Sequence, residues 1–469
     1  LLLFSALLEK CYLNKKGEGG ASNFAMRPTT CPEILFGKKR GLESMIRNDF
    51  CLVVGGATAG SETARMLAEA GFHVIVLESQ MHPYGKIRDG LPLWHGKLRQ
   101  KECAKIDAKL DHPHIHLLLN TGLDEPYGFA FFREKLGIQL MVLANGASQD
   151  RPLNLVKQEA LQNHQFARQN DLIRRFNEAY EKAEDLSAFR CGDEAIVIGG
   201  GLASLDVLKV CQLDQLRRRL SERGIPFDLE RAERKGLAGY CQEVGAPLES
   251  LAFKPSRLMY RKTLEEMPLV PLGADPSSEE KEQAVKLRRK LMEGLQKKFA
   301  IQLLLQQQPT EVDTLSEGKI RLSAQTATGA TVHHETDFLV SAIGSIPAPL
   351  KGIPHRGETY DILDPKLGSI RNCPGVFVVG NALTGRGNIL ASVRSARAFS
   401  KWLEVLQAQS TDQETLEQEA ERYAALFELP VENAQAWFHA FRAELPQIPP
   451  QTESQKKQTQ EWLAGKKAD

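Results

Sequence analysis

Long hydrophobic runs are scarce in this 469-residue chain. The longest falls far short of the roughly 20 residues a membrane-spanning helix needs, so no such helix is expected. An excess of either charge is lacking too: 60 Lys and Arg stand against 59 Asp and Glu, a formal net charge of +1. That balance removes the simplest grounds for a nucleic-acid binder or a polybasic membrane binder. Paired cysteines are also missing. The eight are Cys11, Cys31, Cys51, Cys103, Cys191, Cys211, Cys241 and Cys373, and no two make a C-x-x-C. A four-cysteine iron–sulfur run and a structural zinc module are thereby excluded, and no metal ligand is nominated. The scatter speaks against a disulfide framework and for a reducing compartment, the cytoplasm. The apolar start Leu1–Leu8 has no basic stretch before it and no small-residue cleavage site after it, so no signal peptide is expected.

What is present is an ordinary folded composition, 42% hydrophobic and 25% charged, which argues against a disordered scaffold. The length allows two to four domains at roughly 100–200 residues each. Glycine is the informative residue: 37 occur, and they cluster. Cys51-Leu52-Val53-Val54-Gly55 reads as a strand, the stretch to Ala70 as a helix, and His73 to Glu78 as a second strand. This is a βαβ unit opening a parallel sheet. The grammar repeats at 194–210: strand Glu194–Ile198, turn Gly199-Gly200-Gly201, helix Ala203–Val210. Strands are expected at 257–261 and 301–305, a hairpin over 318–340 running into Phe338–Val340, and another strand at 375–380. Residues 212–250 read as an inserted helical segment whose charges, Arg217-Arg218-Arg219 among them, form either a solvated face or a partner site. Residues 1–49 read as an extension. The helical, acidic tail 401–469, bearing Trp437, Phe438, Phe441 and Trp462, either covers its own core or docks a partner.

A dinucleotide's pyrophosphate needs backbone N–H groups and the positive end of a helix dipole, and glycine lets the backbone come close. Gly55-Gly56-Ala57-Thr58-Ala59-Gly60 has the form G-x-A-x-x-G between a strand and a helix. Glu78, followed by Ser79, ends the next strand, where a carboxylate can accept both ribose hydroxyls. Gly199-Gly200-Gly201-Leu202-Ala203-Ser204 is the second loop, with Ser204 in place of the third glycine. The strand after it ends in Tyr260-Arg261-Lys262. Two cations there suit the 2′-phosphate of NADP, while Glu265 and Glu266 close by leave NAD open. Two loops in one chain can hold a flavin and a nicotinamide dinucleotide. Hydride then passes from nicotinamide C4 to flavin N5, with no side-chain acid or base needed.

At this point the chain resembles a family, over about residues 50–400. It is the two-dinucleotide-domain flavoprotein group that contains adrenodoxin reductase and the small (beta) subunit of glutamate synthase. Val53-Val54-Gly55 to Gly60 with Glu78 is the first block. Pro83-Tyr84-Gly85-Lys86-Ile87-Arg88-Asp89-Gly90-Leu91-Pro92 is similar to the family's P-G-G-x-x-x-x-G-I-P, a segment that lies along the flavin. Leu119-Asn120-Thr121 resembles a strand end of the family, and Leu143-Ala144-Asn145-Gly146-Ala147 resembles the A-T-G-A of the first interdomain crossover. Gly199 to Asp206, Leu258 to Pro268, Phe338 to Gly344 at the second crossover, and Pro374 to Asn381 complete the set. The resemblance implies that Gly380, Asn381, Gly387, Asn388 and Ile389 hold the flavin's ribityl and pyrimidine end, and that Arg261 and Lys262 hold the 2′-phosphate. Departures are Ala57, Ser204, Leu202 where the family has Asn, and Asn381 where it has Asp.

The implied architecture is α/β with two Rossmann-like domains, one interrupting the other. FAD-binding residues 50–150 and 336–400 flank an NAD(P)-binding domain at 151–335, with an N-terminal extension and a helical C-terminal tail. The implied activity is an FAD-dependent NAD(P)H oxidoreductase, like a ferredoxin–NAD(P) reductase. Lacking in-chain cysteine clusters and redox cysteine pairs, it would exchange single electrons with an iron–sulfur protein or subunit of a larger complex. The alternatives are a flavin-dependent oxidase or monooxygenase, and a non-catalytic FAD-binding assembly subunit.

Overall fold

The computed structural model describes residues 50–407 except 125–127, 136–137, 139, 156, 159–160, 162–164, 183–185, 187–188, 271, 273–275 and 386–388. The extension 1–49, the aromatic residues of the tail, and Gly387 and Asn388 lie outside the described residues.

The chain opens with β1 (Phe50–Val54), whose Cys51 to Val54 are buried, as a central parallel strand requires. Then come α1 (Thr58–Glu69), β2 (His73–Leu77), α2 (Lys86–Asp89), α3 (Gly96–Leu110), β3 (Ile115–Leu118) and β4 (Leu140–Leu143). β1 pairs in parallel with β2 on one side and β4 on the other, and β2 pairs with β3. Alternate residues point to opposite faces. Val53, Val74 and Val76 pack with Ala64 and Leu67 of α1, while Leu52, Ile75 and Leu77 pack on the other face with Met141 and Tyr360.

The chain leaves this sheet through β5 (Gln149–Asp150) and builds a second one. Its elements are β6 (Phe166–Arg168), α4 (Gln169–Lys182), β7 (Ala195–Ile198), α5 (Leu202–Ser221), α6 (Leu229–Lys235), α7 (Leu237–Glu243), β8 (Ser256–Tyr260), α8 (Ser278–Lys298) and β9 (Ile301–Leu305). β10 (Gln307–Thr314), β11 (Ile320–Thr326) and β12 (Thr331–Thr336) form an antiparallel sheet, and β13 (Phe338–Ser341) returns to the parallel one, whose order is β6-β13-β7-β8-β9. β14 (Ser345–Ile346) pairs antiparallel with β5. β15 (His355–Arg356), β16 (Thr359–Tyr360), β17 (Ile362–Asp364), β18 (Ser369–Ile370) and β19 (Cys373–Val378) follow, then α9 (Asn381–Thr384) and α10 (Ile389–Gln407). β19 pairs in parallel with β4, completing the order β17-β18-β19-β4-β1-β2-β3.

Two expectations need correction. The first segment was expected to resume at 336, yet Phe338–Ser341 pairs with β7 and β6 in the second sheet. The return crossover therefore starts after Ser341. The helical insert was expected from 212, but α5 runs unbroken to Ser221. Leu213, Leu216 and Leu220 continue its buried stripe. Gln212 bonds the backbone of Ala300, and the side chain of Gln215 bonds Asp193 and Lys254 backbone atoms. The arginines are not a solvated face either. Asp214, wholly buried, pairs with Arg217 at 2.8 Å and Arg218 at 3.1 Å and accepts the Cys191 N–H, while Asp193 pairs with Arg218 and Arg219 at 2.6 Å each. These charges bind the segment before β7 to α5.

Among the described residues, no helix is long and apolar enough to cross a membrane, and no group of three or more His, Cys, Asp or Glu could hold a metal ion.

Candidate functional site

The first glycine loop joins β1 to α1. Gly55 has φ +99°, and a Cβ there would meet Ala144 O at 2.6 Å. At Gly60 a Cβ would lie 1.7 Å from Gly55 O, so only glycine lets the helix sit against the loop. Ala57 is the N-cap of α1 and offers no side-chain cap, so the first amides of the helix have no side-chain acceptor. Such amides, with the helix dipole, suit an anion. Glu78 is buried at the end of β2. Its Oε2 accepts the Gly56 N–H and its Oε1 the Gln80 N–H, each at 2.9 Å. Ser79 Oγ stands 3.5 Å from Oε1. Burial raises the Glu78 pKa, and those backbone donors act against the rise. Oε2, with the Gly56 N–H as its one donor, keeps a lone pair for a further donor.

Two other segments converge on this loop. Gly56 lies against Pro83, and Gly85 (φ +47°) against Ala57, so residues 83–92 run from the loop. Gly380 (φ +67°) lies against Ala59, and its N–H donates to Ser395 Oγ at 2.9 Å. Asn381 Oδ1 accepts from Ser392 Oγ at 3.3 Å, which uses part of its acceptor capacity. Ile389 opens α10.

The second loop joins β7 to α5. A Cβ at Gly199 would lie 2.3 Å from Ala342 O, and one at Gly200 would lie 2.4 Å from the Tyr260 ring. Gly200 is thus required by an aromatic neighbour that the loop's own sequence does not announce. Gly201 caps α5 without a side-chain bond, and Ser204 Oγ turns back to Gly201 O at 2.6 Å. Leu202 is half exposed at the helix start, followed by Ala203. Arg261 and Lys262 are exposed just past β8. Lys262 pairs with Glu266 at 3.0 Å and Arg289 with Glu265 at 2.8 Å, while Arg261 makes no ion pair among the described residues.

The loops are joined by one ribbon. Ala144, touching Gly55, leads through Asn145 and Gly146 (φ +63°) to β5; Ala342, touching Gly199, leads through Gly344 (φ +102°) to β14. β5 and β14 pair, with Asp150 opposite Ser345. The glycine loops therefore stand at the two ends of the crossover, outside the carboxyl ends of their strands, where open α/β sheets bind ligands. Tyr360 Oη donates to Asn145 Oδ1 at 3.1 Å. Lys86 Nζ donates to Ser345 Oγ at 2.9 Å.

The chain is similar in structure to solved forms of FprA, a Mycobacterium tuberculosis oxidoreductase. Against FprA in complex with NADPH the TM-score is 0.58 at 19% identity, over 85% of this chain and 90% of that one. Against its His57Gln mutant the TM-score is 0.56, with the same identity and coverage. The two share a fold. No family model matches the chain, and no curated protein matches it.

One contact that no motif announces joins the segment after the first loop to the helix of the second. His95, eleven residues after Tyr84 on the same segment, places Nε2 3.7 Å from Asp206 Oδ1 of α5. Lys209 reaches the same oxygen at 3.5 Å, pairs with Glu233 at 2.9 Å, and lies 5.4 Å from the centre of the Trp94 ring. No local motif joins these residues; only the fold brings them together. The segment 86–99 is also clamped by α4: Asn177 Nδ2 donates to Arg88 O and Leu91 O at 3.2 and 3.0 Å, and Arg99 pairs with Glu181 at 3.1 Å.

Proposed function

We propose that this chain is an FAD-dependent oxidoreductase that moves a hydride between NAD(P)(H) and FAD. The observation that carries the reading is the single β5–β14 ribbon with an uncapped, glycine-lined helix start at either end. Pyrophosphates held at the two helix starts direct their dinucleotides toward one meeting place. FAD goes to the first loop, where Gly55, Gly56, Ala57, Ala59 and Gly60 admit the phosphates and Glu78 accepts the ribose hydroxyls. Residues 83–92, 144–146, 380–385 and Ile389 then line the flavin. NAD(P) goes to Gly199–Ser204, with Arg261 on the 2′-phosphate and Lys262 next to it.

When bound, the flavin supplies two-electron and one-electron chemistry. The protein binds and aligns the two rings and keeps water from between them. The named solved structure of FprA with NADPH supports the nicotinamide assignment. Within the wider group, the motif set favours the adrenodoxin reductase and glutamate synthase beta-subunit side, and hence an iron–sulfur protein or subunit as the electron partner, in the cytoplasm.

Purification of the chain with its partners from its native source tests this, with flavin identified after denaturation and partners by mass spectrometry. The reading expects FAD and an iron–sulfur protein. Stoichiometric protein without flavin contradicts it.

A further inference from the structure

We propose that Lys86 is the positive charge set against the flavin ring, and that it raises the flavin's reduction potential. The inference rests on the FAD assignment above. It starts from the path of one short segment. Pro83 and Gly85 touch the first glycine loop at Gly56 and Ala57, and α2 begins with Lys86 immediately afterwards. The side chain then points away from the phosphate loop. Its Nζ donates to Ser345 Oγ at 2.9 Å. The same hydroxyl oxygen accepts from Asn170 Nδ2 at 3.1 Å, and the Asn170 N–H donates to the Asp150 carboxylate at 3.3 and 3.2 Å. Ser345 and Asp150 are facing residues of the crossover ribbon. Lys86 thus carries a cation from the phosphate loop to the place where the two dinucleotides meet.

Its surroundings make that charge effective. The Lys86 side chain is exposed, with its Nζ held at Ser345 Oγ. Partial desolvation lowers its pKa to about 8, with Asp150 acting in the opposite direction, so the ammonium is still charged at neutral pH. The acid facing it is Asp150, which shares its charge with Arg168 and stands near Asp171. No carboxylate bonds Lys86 directly among the described residues. A cation held this way, in place before any charge arrives, acts more strongly than one in bulk water. Two-electron reduction places negative charge on a flavin, so Lys86 favours the reduced form. The family motif leaves this position open, and the lysine is a property of this chain.

The test uses the full chain loaded with FAD, as wild type, K86M and K86R. Midpoint potentials come from anaerobic spectroelectrochemistry and FAD affinity from fluorescence titration. K86M is expected to hold about tenfold less reduced flavin at a given potential, a fall of about 30 mV for a two-electron couple. K86R should recover most of that loss. FAD affinity should change by less than about threefold, because the ammonium faces the ribbon and not the phosphates. The gap between wild type and K86M should close as the pH is raised well above the Lys86 pKa of about 8. An unchanged K86M potential overturns the inference, and so does an unchanged potential with weakened FAD binding, which would place the charge on the phosphates. Wild-type protein that takes up no FAD overturns the proposed function along with this inference; FAD-loaded protein indifferent to K86M overturns this inference alone.

Discussion

Replacing Glu62 by Gln should destabilise the first parallel domain, and do so only above acid pH. Glu62 lies on α1, two residues past Gly60, with its side chain 1% exposed. It pairs with Lys109 of α3 at 2.9 Å, with Arg397 of α10 at 2.8 Å, and with Arg65 of its own helix at 3.2 Å. One carboxylate therefore ties two further helices to the helix that faces the proposed FAD phosphates. Burial alone pushes its pKa up, but Lys109, Arg397 and Arg65 outweigh that and bring it from 4.5 to about 2. That displacement corresponds to about 3 kcal/mol, an order-of-magnitude figure. The folded pKa is depressed, so the contribution is complete above the unfolded value of 4.5 and is lost as pH falls through about 2. Urea unfolding of wild type and E62Q at several pH values measures the difference. The expected gap is about 3 kcal/mol at pH 7, shrinking steadily between about pH 5 and pH 2. A gap that is absent at pH 7, or that stays constant down to acid pH, refutes the reasoning.

Gly60→Ala places a methyl 1.7 Å from Gly55 O and can be accommodated only by prising the loop from α1. It should lose FAD binding by at least about tenfold, read as flavin absorbance retained after gel filtration; full retention would contradict the loop assignment. Arg261→Ala should raise KM for NADPH by about ten- to a hundredfold, the worth of a charge-assisted hydrogen bond, and leave NADH unchanged. Equal effects on both nucleotides would remove the 2′-phosphate assignment. Lys262→Ala should do less, because Lys262 is already engaged by Glu266 in an exposed pair of small worth.

The two strand–turn–helix units were legible because strand, glycine turn and helix are contiguous in the chain, and at Gly60 the constraint is itself local, a Cβ there meeting Gly55 O; the pressure of Ala144 on Gly55 and of Ala342 on Gly199 comes from the distant crossovers. The paired crossovers could be anticipated at Ala144–Gly146 and Gly344, although the exact sheet of Phe338–Ser341 could not, since a four-residue apolar strand suits either sheet. Arg217, Arg218 and Arg219 read as surface charge although Asp214 stands on the same helix, three and four residues before Arg217 and Arg218, because burial comes only when the segment before β7 folds onto α5 and brings Asp193 to Arg218 and Arg219. Tyr260 against Gly200, and His95 near Asp206, escaped for the same reason: each joins distant stretches through the fold.

In the proposed function the two loops hold a flavin and a nicotinamide in line for hydride transfer. Anaerobic mixing of the FAD-loaded full chain with NADPH, and separately with NADH, followed by flavin absorbance, tests it most directly. At least one of the two nucleotides should bleach the oxidised flavin, with recovery when the oxidised nucleotide is added in excess. An FAD-loaded chain whose flavin neither nucleotide reduces would contradict it.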